Sequence, residues 1–406
     1  MSNTQKKNVP ELRFPGFEGE WEEKRFADFT KINQGLQIAI NERKTEYSPE
    51  LYFYITNEFL RPNSQTKYFI ENSPQSVIAN KEDILMTRTG NTGKVVTNVF
   101  GAFHNNFFKI KFDKNLYDRL FLVEVLNSSK IQNKILSLAG SSTIPDLNHS
   151  DFYSISSSYP LLREQQKIGQ FFSKLDRQIE LQEQKLELLQ QQKKGYMQKI
   201  FSQELRFKDE NGEDYPDWKE KKLGDITEQS MYGIGASATR FDSKNIYIRI
   251  TDIDEKSRKL NYQNLTTPDE LNNKYKLKRN DILFARTGAS TGKSYIHKEE
   301  KDIYNYYFAG FLIKFEIDEQ NNPLFIYQFT LTSKYNKWVK VMSVRSGQPG
   351  INSEEYAKLP LVLPNKLEQQ KIAEFLDRFD QQIELEKQKI EILQQQKKGL
   401  LQSMFI

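Results

Sequence analysis

The chain repeats itself. Glu164-Gln165-Gln166-Lys167-Ile168 returns as Glu368-Gln369-Gln370-Lys371-Ile372, a displacement of 368 − 164 = 204 residues in a chain of 406. The correspondence continues through Asp176/Asp380, Ile179/Ile383, Glu180/Glu384 and Leu181/Leu385 to the near-identical stretches 189–195 and 393–399. A displacement of half the chain means two copies of one unit. The fold is therefore expected to approximate two-fold symmetry within a single polypeptide.

Each copy carries its parts in the same order. Glu11-Leu12-Arg13-Phe14 opens the first and Glu204-Leu205-Arg206-Phe207 the second, each followed by a tryptophan with charged neighbours, Trp21-Glu22-Glu23-Lys24 and Trp218-Lys219-Glu220-Lys221. Mixed, aromatic-rich sequence then leads to Pro160 or Pro364 and a long periodic segment. The displacement is 204 − 11 = 193 at the opening motif and 204 at the end, so the mixed regions have accepted insertions. They match only in patches, whereas the periodic segments nearly coincide. One part thus serves a role common to both copies, and the other a role particular to each. The expected boundaries are 1–160 and 203–362 for two globular domains, and 161–202 and 363–406 for two helices.

The mixed regions alternate β-like runs (51–55, 107–112, 246–250) with helix-like ones (118–128, 323–332), which reads as α+β. In the periodic segments apolar residues fall at Ile168, Phe172, Leu175, Ile179, Leu186, Leu189, Tyr196 and Ile200, alternating steps of three and four, with Gln182 and Lys193 in two seam slots. The second copy gives Ile372, Leu376, Phe379, Ile383, Ile390, Leu393, Leu400 and Met404, with Glu386 and Lys397 in the matching slots. That period predicts a coiled coil of about 35 residues and roughly 50 Å. Asn365 with Glu368 resembles a capping box for the second helix. Two such helices in one chain, each following its own domain, are expected to pair antiparallel and hold the domains apart. A second stripe, Leu181 and Leu188 with Leu385 and Ile392, suits contact with another subunit, or equally a wider intramolecular seam.

Composition limits the chemistry. There is no Cys and there are three His, which disfavours disulfides and a zinc site, and no catalytic residue or metal ligand is expected. A polar amino terminus, and no apolar run of about 18 residues, argue for a cytoplasmic protein with no membrane contact. A net charge of +5 is compatible with nucleic acid without requiring it. Gly288-Ala289-Ser290-Thr291-Gly292-Lys293-Ser294 looks like a phosphate loop, but the spacing between its glycines is one residue short. The other copy, Gly90-Asn91-Thr92-Gly93-Lys94-Val95, is shorter still and lacks the hydroxyl. His104, His149 and His297 are unmatched between copies, and neither a methyltransferase tetrapeptide nor a dinucleotide fingerprint occurs.

What does recur is Asp83-Ile84-Leu85-Met86-Thr87-Arg88-Thr89-Gly90 with Thr92-Gly93-Lys94, against Asp281-Ile282-Leu283-Phe284-Ala285-Arg286-Thr287-Gly288 with Thr291-Gly292-Lys293. A strand ending in Arg, a Thr/Gly turn and a Lys suit a phosphate backbone, and Arg also reaches guanine bidentately. A plain hairpin with solvated cations is the alternative. Ile55-Thr56-Asn57 matches Ile250-Thr251-Asp252, and Ser142-Thr143-Ile144-Pro145 matches Ser346-Gly347-Gln348-Pro349. Asn57, Thr251 and Gln348 are candidates to address base edges, or to structure their loops.

The duplicated order resembles the specificity subunit of type I restriction-modification enzymes: two variable domains, each followed by a near-identical helix beginning near Pro and Glu-Gln-Gln-Lys-Ile. Pro10-Glu11-Leu12-Arg13-Phe14-Pro15-Gly16-Phe17 and the stretches 84–90 and 282–288 are similar to that family as well. The resemblance implies that each variable domain reads half of a split, asymmetric site on double-stranded DNA. It implies that the helices set the gap and bind two modification subunits, with restriction subunits completing the complex. S-adenosylmethionine, ATP and Mg²⁺ would then sit on those partners, and this chain would bind no cofactor and catalyse nothing. The contrasting possibilities are a coiled-coil adaptor joining two protein-binding domains, or a restriction or methyltransferase enzyme in its own right.

Overall fold

Each periodic segment folds as one continuous helix, Leu162–Phe201 and Lys366–Met404, in a computed structural model that describes residues 8–61, 64–71, 73–140, 143–255, 257–298, 303–344 and 347–406. At about 1.5 Å per residue each is nearer 60 Å than 50 Å. Both run past Gly195 and Gly399, which stand in open space, because the seam continues to Ile200 and Met404. The chain divides into two units, Met1–Gln184 with Lys387–Ile406, and Lys185–Glu386. Each unit therefore holds the first half of one long helix and the last half of the other.

Within each unit the two helices pair antiparallel. In the first, Ile168 and Phe172 share a core with Leu400, Leu401 and Met404. In the second, Met197 and Ile200 share one with Ile372, Ala373 and Leu376. The expected seam is corrected at one slot: Met197 is buried at 8% exposure while Tyr196, one position off, is 38% exposed and lies against Phe375 and Phe379. Three of the four polar seam slots are filled by ion pairs, Lys397 Nζ to Asp176 and Lys193 Nζ to Asp380, both at 2.6 Å, and Lys185 Nζ to Glu386 at 2.7 Å. At the fourth, Gln182 Oε1 is buried with no hydrogen-bond partner among the described residues.

The start of each helix is bolted to its domain, which explains why Glu-Gln recurs there. Glu164 accepts from Arg13 Nε and Nη2, both at 2.7 Å, and Glu368 accepts from Arg206 Nη2 at 2.8 Å and Trp218 Nε1 at 3.2 Å. Asn365 Oδ1 does cap the Glu368 N–H at 2.9 Å, but with its carboxylate taken by Arg206 and Trp218 no reciprocal capping box forms. Gln165 accepts from the Asp118 N–H and donates to the Pro160 carbonyl; Gln369 does the same with Asn322 and Pro364. These glutamines tie the long helix to the start of a domain helix, Arg119–Asn127 or Pro323–Phe329.

The domains themselves are α+β. In the first, an antiparallel sheet runs in the order Thr30–Gln34, Phe107–Phe112, Ile84–Thr87, Val95–Val96; in the second the same order is Thr227–Tyr232, Leu312–Ile317, Ile282–Ala285, Ser294–Ile296. Beside it the first domain has a mixed sheet in which Tyr52–Ile55 pairs parallel with Gly101–Phe103. In the second, Asn245–Ile248 pairs parallel with Asn305–Phe308. A two-stranded ribbon closes each domain, Glu22–Arg25 with Ser156–Tyr159 and Lys219–Lys222 with Pro360–Leu363.

Candidate nucleic-acid interface

The repeated Asp-Ile-Leu stretch is a central strand whose first residue anchors a buried cation. Lys314 Nζ lies 3.4 Å from Asp281 and 3.2 Å from Glu316; in the first domain Lys109 Nζ donates to the Ile78 carbonyl at 2.7 Å, with Asp83 at 3.7 Å. Burial lowers the Lys109 pKa and raises that of Asp281, so neutralising contacts are needed to keep both charged. This fixes the strand and hence the turn at its far end.

That turn is tight. Thr87 Oγ1 donates to the Asn91 carbonyl and accepts from the Lys94 N–H, closing the loop on itself. Gly90 has φ +84°, and a Cβ there would meet Asn57 Nδ2 at 2.4 Å; Gly292 has φ +86°, with Val339 at 2.4 Å. Only glycine serves at these two places. A second loop packs on each turn. The Leu147 N–H donates to the Arg88 carbonyl at 2.8 Å and the Ile351 N–H to the Arg286 carbonyl at 2.9 Å. Thr92 Oγ1 donates to the Pro145 carbonyl, and Thr291 Oγ1 lies 3.1 Å from that of Pro349. The fold thus brings two of the repeated patterns together.

The candidate residues divide. Lys94 and Gln348 are exposed, as is Thr251, whose Oγ1 faces Asp252 at 3.4 Å. Asn57 donates to the Thr89 carbonyl at 2.9 Å and so supports the turn. Lys293 Nζ reaches the Ile253 carbonyl at 3.4 Å. Thr89 and Thr287 are half-buried and bridge to Asp146 and Gly350. Gly288, at φ +71°, has open space around it. Ser142 and Ser346 lie outside the described residues.

The two arginines differ most. Arg88 donates through Nη2 to Asp146 at 2.6 Å and sits over the Phe108 ring. Arg286 has its guanidinium 5.0 Å from the Tyr232 ring and 5.9 Å from the Phe311 ring, and its Nε is buried without a hydrogen-bond partner among the described residues. Tyr232, Phe311, Asp146 and Gly350 were not singled out by the repeat. The displacement of 350 − 146 = 204 residues already sets Asp146 against Gly350, whereas Tyr232 and Phe311 come into register with Gln34 and Asn106 only through strand pairing. On the helices, the second stripe is about half-exposed: Leu181 46%, Leu188 53%, Leu385 51% and Ile392 53%.

Comparison with known proteins settles the class. A family model described as the type I restriction modification DNA specificity domain matches residues 18–191 and again 215–395. The specificity subunit of the type I restriction enzyme MjaVIII from Methanocaldococcus jannaschii is 26% identical over 97% of this chain and 93% of its own length. That of HindI from Haemophilus influenzae is 28% identical over 47% of this chain and 41% of its own. In fold, the crystal structure of the type I restriction-modification S subunit from M. genitalium superposes with a TM-score of 0.68 at 17% identity, covering 98% of this chain and 99% of that one. The chain belongs to the type I restriction-modification specificity-subunit family. Its role is DNA recognition without catalysis. Among the described residues no group of His, Asp and Glu is arranged to hold a metal ion, and no helix is long and apolar enough to cross a membrane.

Proposed function

We propose that this chain reads a bipartite, asymmetric site on double-stranded DNA, the domains at 1–160 and 203–362 each addressing one half. The helices at 161–202 and 363–406 set the gap between the halves and scaffold two modification subunits, with restriction subunits joining the complex. The observation that carries this reading is the contrast within the duplication. Helices and their bolts to the domains are nearly identical, whereas the surfaces around the Arg-Thr-Gly turns differ, as a common scaffold with two separate reading heads requires. DNA contact is assigned to the turns (Arg88, Thr89, Gly90, Lys94; Arg286, Thr287, Gly288, Lys293) with Asn57, Thr251 and Gln348 beside them. Subunit contact is assigned to the half-exposed stripe Leu181, Leu188, Leu385 and Ile392. S-adenosylmethionine, ATP and Mg²⁺ belong to the partners, and the complex works in the cytoplasm.

The test is to add one heptad to each long helix, at 184/185 and 386/387, and map adenine methylation in cells carrying the partner subunits. About 10 Å of added helix corresponds to about three base pairs of duplex. The gap should lengthen by that amount while both half-sites keep their bases. Altered bases with an unaltered gap would overturn the assignment of spacing to the helices.

A further inference from the structure

Strand register places Arg88 and Arg286 at the same point of the fold. Gln34 and Tyr232 pair with Phe108 and Ile313, which in turn pair with Met86 and Phe284, so Gln34 corresponds to Tyr232. The Arg88 N–H donates to the Asn106 carbonyl and the Arg286 N–H to that of Phe311, so Asn106 corresponds to Phe311. Thr89 bridges to Asp146 and Thr287 to Gly350, so Asp146 corresponds to Gly350. Around one cation, then, three neighbours have changed together: Gln, Asn and Asp in the first domain, Tyr, Phe and Gly in the second.

The consequences are physical. Asp146 neutralises Arg88 at 2.6 Å, so bringing that guanidinium to DNA would cost the ion pair. In the second domain no carboxylate among the described residues lies within ion-pair distance of Arg286. Its planar group is instead held beside two rings, and Phe311 is itself 60% exposed. Tyr232 is fixed in turn, since its hydroxyl accepts from the Ser353 N–H at 3.1 Å. Aromatic contact leaves the hydrogen-bonding edge of a guanidinium unspent and cuts the rotamer entropy lost when it binds.

We propose that the two turns are not equivalent: Arg286 is the dominant DNA contact of its turn and grips a pair of acceptors, whereas Asp146 holds Arg88 in an ion pair that weakens its own contact with DNA. The acceptor pair is either the O6/N7 edge of a guanine or two phosphate oxygens, both of which suit a flat fork of donors. This rests on the DNA-recognition role of the chain. Gly350 is the informative position, because a Cβ there meets only the Arg286 carbonyl, at 3.3 Å, and its φ is not left-handed. An aspartate there requires the Arg286 carbonyl to give by a few tenths of an ångström, and it would reproduce the arrangement around Arg88.

The experiment uses the full-length chain, with duplexes first selected by the wild type from a randomised pool. R286K and G350D should each weaken binding roughly 10- to 100-fold. G350D should reduce the magnitude of the salt slope by about one, and D146G should increase it by about one. Reselection with R286K should relax base choice in one half-site only if a guanine edge is gripped. On duplexes with 7-deazaguanine in place of guanine, the R286K penalty disappears if N7 is the acceptor; on methylphosphonate duplexes it disappears if phosphate is. Thermal melting confirms folding of each variant, and R286K keeps the test sound should G350D misfold. Wild-type affinity and slope in folded R286K and G350D would overturn the inequivalence while leaving DNA recognition intact. Failure of the wild type to select any duplex would overturn both.

Discussion

Glu124 and Gln328 are 328 − 124 = 204 residues apart and occupy the same place in the two copies. Gln328 donates to Asp380 at 2.8 Å, whereas Glu124 faces Lys397 at 3.3 Å. Burial pushes the Glu124 carboxyl up to about 6, against the attraction of Lys397 and with the repulsion of Asp176 added. The folded state therefore holds its proton more tightly than the unfolded chain does. This stabilisation is fully present below the unfolded value near 4.5 and is lost as pH rises through about 6. At neutral pH the ionised group costs about 2 kcal/mol. Glu124→Gln is accordingly expected to raise the melting temperature at pH 7.5, and the gain over wild type should vanish below pH 4.5. An unchanged difference across that range would refute the assignment. Gly169 gives a second case: a Cβ would meet Asp118 Oδ1 at 2.6 Å and the Phe121 nitrogen at 2.7 Å. Gly169→Ala should lower stability by about 1–3 kcal/mol in denaturant unfolding, even though alanine favours a helix by about 1 kcal/mol. At this scale the sequence spoke only through repetition. It exposed Arg88 and Arg286 because they recur, and it hid Asp146, Tyr232 and Phe311 because they do not.

The long helices were the most legible elements, because a three-four alternation over many turns leaves few other solutions. The slip at Tyr196 arose where two neighbouring residues, Tyr196 and Met197, were both apolar enough to take the slot, and core packing chose the unbranched one. Strand order in the domains was not legible, since it depends on pairings such as Thr30–Gln34 with Phe107–Phe112, far apart in sequence. Polar residues in the seam form ion pairs across it. Lys193 is buried against Asp380, so Lys193→Asp places two carboxylates together and should cost about 3 kcal/mol. Adding Asp380→Lys should recover most of that loss, though Asp380 also accepts from Gln328. A double-mutant cycle in urea measures the coupling, and additive effects would show that the pair does not specify register.

Across the whole chain, the units do not coincide with the repeats. A repeat is a domain followed by its own helix, whereas a unit combines a domain with the starting half of one helix and the finishing half of the other. The opening motif reflects the same arrangement: the Leu12 N–H donates to the Ser403 carbonyl just as the Leu205 N–H donates to that of Lys199. A fragment of residues 1–202 would thus leave its helix without either partner segment. Its own sequence supplies replacements at every seam position but one, where the uncharged Gln182 stands for Glu386. Lys193 stands for Lys397 against Asp176, Leu189 for Leu393, Leu186 for Ile390, Ile200 for Met404, and Phe201 for Phe405, which packs on Phe121 and Phe172. Two copies of the fragment aligned antiparallel would form the Lys193–Asp176 pair twice and fill the same cores, while Lys185 would face Gln182 in place of Glu386. Sedimentation equilibrium at micromolar concentration should show a dimer, and Lys193→Asp in the fragment should dissociate it, since the substitution breaks both copies of the pair at once. A fragment that stays folded and monomeric at tens of micromolar would mean that the second copy's helix supplies something the first cannot, and the equivalence of the two arms would fail.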